Sequence, residues 1–180
     1  AIQYKNKEII EYILIHKSDI DNLFIETVFN EDIEIVKLAL KYNCKPRYIN
    51  QNSYYGTPLH IAVKNSYIQI VELLLTLDCI DPNIGTLDYG DTPLMIALEN
   101  NIYIVNLLIN HPKIDINVKN RKGKDAFAIA QKYNRYKAYK YFADKGNAEA
   151  MFCYAYRLYK GEGFPINKEE AFKYYKMSAN

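Results

Sequence analysis

The side chains able to do covalent or metal chemistry are few in this chain, and their spacing argues against most of it. Cys44, Cys79 and Cys153 form an odd, sparse set that fits neither a disulfide framework nor a zinc-ligand spacing. A nucleophilic thiolate needs a neighbouring cation or helix N-terminus, and the sequence specifies neither. Cys44 and Cys79 stand 35 residues apart at equivalent places in a repeated pattern, which predicts a buried filling role. The histidines, His16, His60 and His111, are too scattered to gather a metal. His60 is expected to bond locally to Thr57 or to a turn carbonyl, and His111-Pro112 lies in a loop. Carboxylates for acid–base work would have to come from Asp81, Asp88, Asp91, Glu99 and Asp115. These sit at turns and helix ends, where acids cap or face water. No catalytic residue, metal or cofactor is expected, and the chain reads as a non-enzyme.

The sharper chemistry is ionic. Residues 1 to 117 hold nine Lys and Arg against fifteen Asp and Glu, a net of −6. Residues 118 to 145 hold nine against two, a net of +7, although the whole chain is only +2. In that basic collar Lys119, Arg121, Lys122, Lys124, Lys132, Arg135, Lys137 and Lys140 are interspersed with Tyr133, Tyr136, Tyr139 and Tyr141. Cations among rings suit phosphate contacts and base stacking. They suit an acidic protein partner equally well, and the bland reading is lysine stems over apolar surface with tyrosines filling a junction. The acidic front half would repel a long phosphate backbone.

What positions these groups is a repeat. Tyr55-Gly56-Thr57-Pro58-Leu59-His60-Ile61-Ala62 returns as Tyr89-Gly90-Asp91-Thr92-Pro93-Leu94-Met95-Ile96-Ala97. Ile70-Val71-Glu72-Leu73-Leu74-Leu75 returns as Ile104-Val105-Asn106-Leu107-Leu108-Ile109, and Ile80-Asp81-Pro82-Asn83 as Ile114-Asp115-Ile116-Asn117. The period is 34 or 35 residues, the signature of a stacked-unit architecture. Within one unit Thr57 caps a short helix and Pro58 takes its first position, where a missing N–H costs nothing. Leu59, Ala62 and Val63 form its buried face, Asn65-Ser66 breaks it, and Ile70, Val71, Leu73, Leu74 and Leu75 mark a second helix. Such a pair cannot bury its apolar faces alone, so units must stack. A weaker copy lies upstream at Leu23-Phe24, Val28, Ile35 to Leu40 and Cys44-Lys45-Pro46, with Thr27 in the place of Ala62. Ile9, Ile10, Ile13 and Leu14 are expected to form a helix capping the stack. Downstream, Gly123-Lys124-Asp125-Ala126-Phe127-Ala128-Ile129-Ala130 follows the pattern with Asp125 as cap, and a short basic helix is expected from Arg135 to Phe142.

Over residues 7 to 142 this Thr-Pro-Leu-His…Ile-Val-x-Leu-Leu-Leu…Asp-Pro-Asn pattern resembles the ankyrin repeat. The resemblance implies a β-turn and two antiparallel helices per unit, and partner binding by turn tips and first helices on a concave face. Only His60 keeps the Thr-x-x-His arrangement, with Met95 and Ala128 in its place elsewhere. Gly56 adjoins Thr57 directly, where other units insert Asp91 or Lys124, so that turn is expected to differ in shape.

From Gly146 the pattern changes. A helix opens at Gly146-Asn147-Ala148-Glu149-Ala150 and runs through Tyr154, Ala155, Leu158 and Tyr159 to a turn at Gly161-Glu162-Gly163-Phe164-Pro165. Those glycines lack the spacing and preceding strand of a phosphate loop. Asn167 with Glu170 suggests a capping box, and Ala171, Tyr174, Tyr175 and Met177 fill the next helix face. Gly146, Ala150, Ala155, Gly161, Gly163, Ala171 and Ala179 resemble a Sel1-like repeat, a relative of the tetratricopeptide type. The pairing of both repeat kinds resembles ankyrin–Sel1 proteins of protists.

The expected fold is therefore all-α, a helical-hairpin solenoid with an ankyrin-like part at 1–142 and a Sel1-like part at 143–180 packed continuously on it. The chain opens on Ala1 without an initiator Met and is read as a piece of a longer protein whose repeats continue past Asn180. It shows no signal peptide and no apolar run of membrane-spanning length. Its cysteines favour an intracellular, reducing compartment, cytoplasmic in the simplest reading. The expected function is protein binding, by a monomer, on the concave face. The candidate residues there are Ser53, Tyr54, Lys64 and Asn65, then Asp88, Tyr89, Asp91, Glu99 and Asn100, then Arg121, Lys122, Lys124, Lys132 and Tyr133. Tyr54 and Tyr89 are the preferred anchors, because exposed tyrosine offers contact area at low entropy cost. A structural spacer, and self-association through an uncovered last helix bearing Phe172, Tyr175 and Ala179, are the bland alternatives.

Overall fold

Each first helix begins at the residue whose side chain can satisfy its orphan amides. In the structure, a computed structural model describing residues 21–42, 49–50 and 52–179, the Thr57 hydroxyl accepts from His60 N–H and the Thr92 hydroxyl from Met95 N–H, both at 3.4 Å. The Asp125 carboxylate accepts from Ala128 N–H at 2.9 Å. Ten helices and no strand occur among the described residues. They are α1 (Asp21–Phe29), α2 (Ile33–Tyr42), α3 (Pro58–Lys64), α4 (Ile68–Leu75), α5 (Pro93–Asn100), α6 (Ile102–Ile109), α7 (Ala126–Lys132), α8 (Tyr136–Asp144), α9 (Ala148–Lys160) and α10 (Lys168–Ser178). The expected capping helix at Ile9 to Leu14, His16 and the Cys44-Lys45-Pro46 segment lie outside the described residues.

The helices stack in two rows. α1, α3, α5 and α7 pack in sequence as an inner row, and α2, α4 and α6 as an outer one. In α3 the residues Pro58 to Val63 are all buried, which is why a seven-residue helix holds at all. In the outer row Ile70, Val71 and Leu74 are buried, while Leu73 and Leu75 are only half-buried. Ala62, Ala97 and Ala130 are fully buried where the units approach most closely. At that place Thr27 is buried too, and its hydroxyl donates to Phe24 O at 2.7 Å. That bond removes the penalty an unpaired hydroxyl would carry there.

Three hairpins turn through a left-handed residue, Glu31, Ser66 or Asn134, with φ of 57°, 60° and 54°. In each, the following N–H reaches back five residues, as Tyr67 does to Ala62 O at 2.9 Å. The α5–α6 hairpin instead uses Asn101 in extended geometry, its Oδ1 capping Tyr103 and Ile104 N–H.

Side-chain amides tie one unit to the next. Asn50 Nδ2 donates to Cys79 O at 2.7 Å and its Oδ1 accepts Asp81 N–H at 2.9 Å. Asn83, 33 residues on, repeats both bonds with Lys113 O at 2.7 Å and Asp115 N–H at 2.8 Å.

The end of the stack departs from expectation in detail. α8 starts at Tyr136 and extends to Asp144, with Arg135 in the cap position. Gly146, at φ 93°, sits in the turn after α8, and it is Asn147 that caps α9. Asn167 caps α10, but the Glu170 carboxylate meets the Asn167 side-chain amide at 3.1 Å instead of closing the box on its backbone. Met177 is exposed and takes no part in the buried face, which is Ala171 and Tyr174 with Tyr175 half-buried. α9 packs on α8 and α10 on α9. Lys140 bridges α8 to α10 through the Tyr174 hydroxyl at 3.2 Å, while that hydroxyl donates to Asp144. Partial burial opposes the Lys140 charge, yet the Tyr174 hydroxyl and the Asp144 carboxylate outweigh it and hold its pKa above the usual lysine range.

Gly56 combines φ +92° with a position where a Cβ would lie 2.6 Å from His60 Cβ, whereas Gly123 at φ +70° has open space around it. Gly56→Ala is expected to cost at least about 2 kcal/mol and Gly123→Ala about 1 kcal/mol. Urea unfolding of both variants measures the difference, and equal losses would mean that contact with His60 does not constrain the turn.

Candidate functional site

The turns that carry the candidate residues are built from the backbone up. Ser53 and Gly56 exchange both backbone hydrogen bonds, at 3.0 and 2.9 Å, so Tyr54 and Tyr55 form a two-residue tip. The next tip is longer, closed by Thr86 N–H on Asp91 O at 3.0 Å, and the third by Asn120 N–H on Lys124 O at 2.9 Å. The short second-unit turn is thus shaped differently, as its missing residue implied.

His60 locks two tips together. Its Nδ1 accepts Thr57 N–H at 3.0 Å, so Nε2 carries the proton and donates to Asp91 O at 3.0 Å in the next unit. The local bond expected for His60 is the one to Thr57, while the turn carbonyl it meets belongs to the neighbouring unit and makes the bond a link between units. Burial is the main reason its pKa falls from 6.5 to about 4, with Asp91 and Asp88 opposing. Protonating Nδ1 would also set two donors against each other. Burial likewise lowers the pKa of His111, whose Nδ1 accepts Lys113 N–H at 3.3 Å, and raises that of the half-buried Cys153 thiol. Neither is an activated group. Among the described residues no three His, Cys, Asp or Glu gather as a metal site, and no helix is long and apolar enough to cross a membrane.

Seven of the fourteen candidates meet at one open cavity of about 340 Å³: Tyr54, Lys64, Asp88, Tyr89, Asp91, Glu99 and Asn100. It lies between the first two tips and the C-terminal ends of α3 and α5. Tyr54 is 88% exposed and Tyr89 53%. Asp88 Oδ1 accepts Tyr89 N–H at 2.7 Å, and hydrogen bonds from Thr86 and Tyr89 hold its carboxyl below the usual range. Asp91 Oδ1 accepts from Asn120 Nδ2 at 2.6 Å.

The other seven do not line this cavity. The Ser53 hydroxyl is spent on Gly56 O at 2.7 Å, and the Asn65 amide on Ile61 O at 2.9 Å. Arg121 N–H binds Tyr89 O at 2.9 Å, and Lys122 Nζ sits 5.1 Å from the Tyr89 ring centre, so the third tip leans on the second. Lys122 and Lys124 N–H groups both bind Asn120 Oδ1 at 3.0 Å, leaving their side chains exposed. Lys132 Nζ engages the Tyr133 hydroxyl at 2.8 Å.

Two groups escaped the sequence reading. Tyr55, Thr86 and Ile96 also line the cavity; Ile96 was detectable as the one apolar residue outside the buried set of α5, namely Leu94, Met95, Ala97 and Leu98. Arg135, counted in the collar, instead caps α5 through Leu98 O at 2.7 Å and Glu99 O at 2.5 Å. Two of the collar rings are also taken, since Tyr139 is buried against Phe127 and Tyr136 lies 3.5 Å beneath the Arg157 guanidinium.

A family model described as ankyrin repeats in three copies matches residues 1–85 and 77–151. No curated protein matches the chain.

Because the folded pKa of His60 lies below its unfolded value, the stability tied to its neutral form is complete above pH 6.5 and is lost as pH falls toward 4. The chain is expected to be about 2 kcal/mol less stable at pH 5 than at pH 7 through this group. His60→Gln should flatten that dependence in urea titrations at the two pH values. An unchanged slope would assign it to other groups.

Proposed function

Because the chain belongs to the ankyrin-repeat family, we propose that it is a non-catalytic module that holds a protein partner on the face formed by its turn tips and inner helices. The observation that carries this reading is the convergence of Tyr54, Tyr89, Asp88, Asp91, Glu99, Asn100 and Lys64 on one open cavity. Large exposed rings beside charges on a rigid scaffold are the composition of binding hot spots, with the charges governing encounter and selectivity. The buried His60 beside the cavity is committed through both ring nitrogens and is not free to act as a base.

The terminal helices fit the same role as an extension of the scaffold. We read 1–142 as the ankyrin-like part and 143–180 as a Sel1-like repeat, supported by the α9–α10 hairpin, its left-handed Gly161 cap and its direct packing on α8. Sparse free cysteines, Cys79 and Cys153 among the described residues, suit an intracellular setting.

A nucleic acid or acidic partner on the basic collar is the second reading, favoured by the exposed Lys119, Arg121, Lys122 and Lys124. It is weakened by the engagement of Arg135 with helix α5 and of Lys140 with Asp144 and Tyr174, and by the loss of Tyr136 and Tyr139 as stacking surfaces.

Capture from native-cell lysate by the purified chain, beside a Tyr54→Ala/Tyr89→Ala bait and a nuclease-treated sample, tests the choice. A protein retained after nuclease and lost with the double variant is the expected result. Recovery abolished by nuclease would transfer the function to the collar, and equal capture by both baits would remove it from this face.

A further inference from the structure

We infer that the cavity between the first two turn tips receives a lysine or arginine side chain of the partner, and that the same partner segment carries acidic residues about three positions away. This rests on the proposal that the face binds protein, and deepens it by naming what is bound.

The first half follows from the lining. Three carboxylates, Asp88, Asp91 and Glu99, face one ammonium, Lys64, so the lining groups sum to −2. The half-chain around them has the same sign. Among the described residues the Glu99 side chain has no ion pair or hydrogen bond, and Glu99 is exposed. Asp88 takes hydrogen bonds from Tyr89 N–H and from Thr86, and Asp91 takes one on Oδ1. A carboxylate accepts more than one donor, so both keep capacity. Around these charges stand the rings of Tyr54, Tyr55 and Tyr89, with Ile96 adding an apolar wall. Tyr54 and Tyr55 meet edge-on at 5.3 Å, and Tyr89 already holds a cation, Lys122, at 5.1 Å from its centre. Rings and carboxylates together suit a long cationic side chain: the π-faces and Ile96 take its stem and the oxygens its charged end. An acidic side chain would add to the net negative charge of the lining, and a purely apolar one would leave that charge uncompensated and Glu99 without a partner.

The second half follows from what lies next along the stack. The third tip presents Arg121, Lys122 and Lys124 to solvent, and Lys132 follows at the end of α7. The Tyr133 hydroxyl is the main influence raising the Lys132 pKa, and the Glu99 and Asp91 charges add to it, so the two fields adjoin. α5 and α7 are direct neighbours in the inner row. Packed helices lie about 9 Å apart, and an extended chain advances about 3.3 Å per residue. Moving from the acidic cavity to the basic tip therefore takes about three residues. A segment of uniform charge meets repulsion at one of the two places, whereas a bipolar segment matches both.

Selection from a displayed library of random twelve-residue peptides tests this, with the full chain as target. Two variant targets run beside it, Asp88→Asn/Glu99→Gln and Tyr54→Ala/Tyr89→Ala. All four positions are exposed, and asparagine retains an acceptor for Tyr89 N–H. Circular dichroism checks each fold. Selected peptides are expected to enrich Lys or Arg with Asp or Glu about three positions away. Synthetic copies should bind the chain at least tenfold more tightly than the Asp88→Asn/Glu99→Gln variant by fluorescence anisotropy, with the difference shrinking at high salt. Peptides that depend on Tyr54 and Tyr89 but show no basic residue, or are indifferent to Asp88→Asn/Glu99→Gln, would overturn this inference and leave the binding face standing. Peptides that bind the tyrosine variant as well as the parent would overturn both.

Discussion

Helices of seven to ten residues cannot persist on their own in water, since nucleation outweighs the few hydrogen bonds each gains. Every element from α1 to α8 is of that length, so each exists only because the next covers it. Pro58 to Val63 show the extreme case: no face of α3 is left for solvent except through Lys64. The constraint reaches down to single atoms. Alanine stands where inner helices touch, and Thr27 is tolerated there only because its hydroxyl turns back to Phe24 O. Hydrophobic burial supplies the drive along the stack, but it is indifferent to register. Register comes from directional bonds between units, those of the Asn50 and Asn83 amides and the His60–Asp91 bond.

That division explains what the sequence revealed. The two-row helical stack was legible because covering each unit by the next demands the same apolar residues at the same interval. Caps were legible too, as Thr57, its repeat counterpart Thr92, Asp125 and Asn167 all cap by local side-chain geometry, while Asn147 emerged as a cap only once Gly146 was placed in the preceding turn. Less legible was anything decided by two units at once. Arg135 looks like one more collar cation, and only the approach of α8 to the end of α5 turns it into a helix cap. Tyr136 and Tyr139 look available until Arg157 and Phe127 cover them. Ile96 and Tyr55 join the cavity because the two-residue tip at Tyr54 brings their surfaces together.

The same tip ties stability to the candidate site. Gly56 permits the tight turn, the turn leaves room for His60, and His60 binds Asp91 O beside the cavity. The bond that joins the second and third units thus also holds two walls of the cavity at a fixed spacing. A preformed cavity loses little conformational entropy on binding, so its weak charged and aromatic contacts are not consumed in ordering the receptor.

The side-chain bonds between units also bear on how the chain reaches this state. The amide, histidine and arginine bonds that join neighbouring units span between 29 and 37 residues. Loop-closure entropy depends on the logarithm of that separation, so every junction costs nearly the same to close. With equal closing costs, the order of folding is set by how much each junction gains. A stack joined this way can start from whichever junction gains most, and structure then spreads from it to the neighbouring units as a zipper.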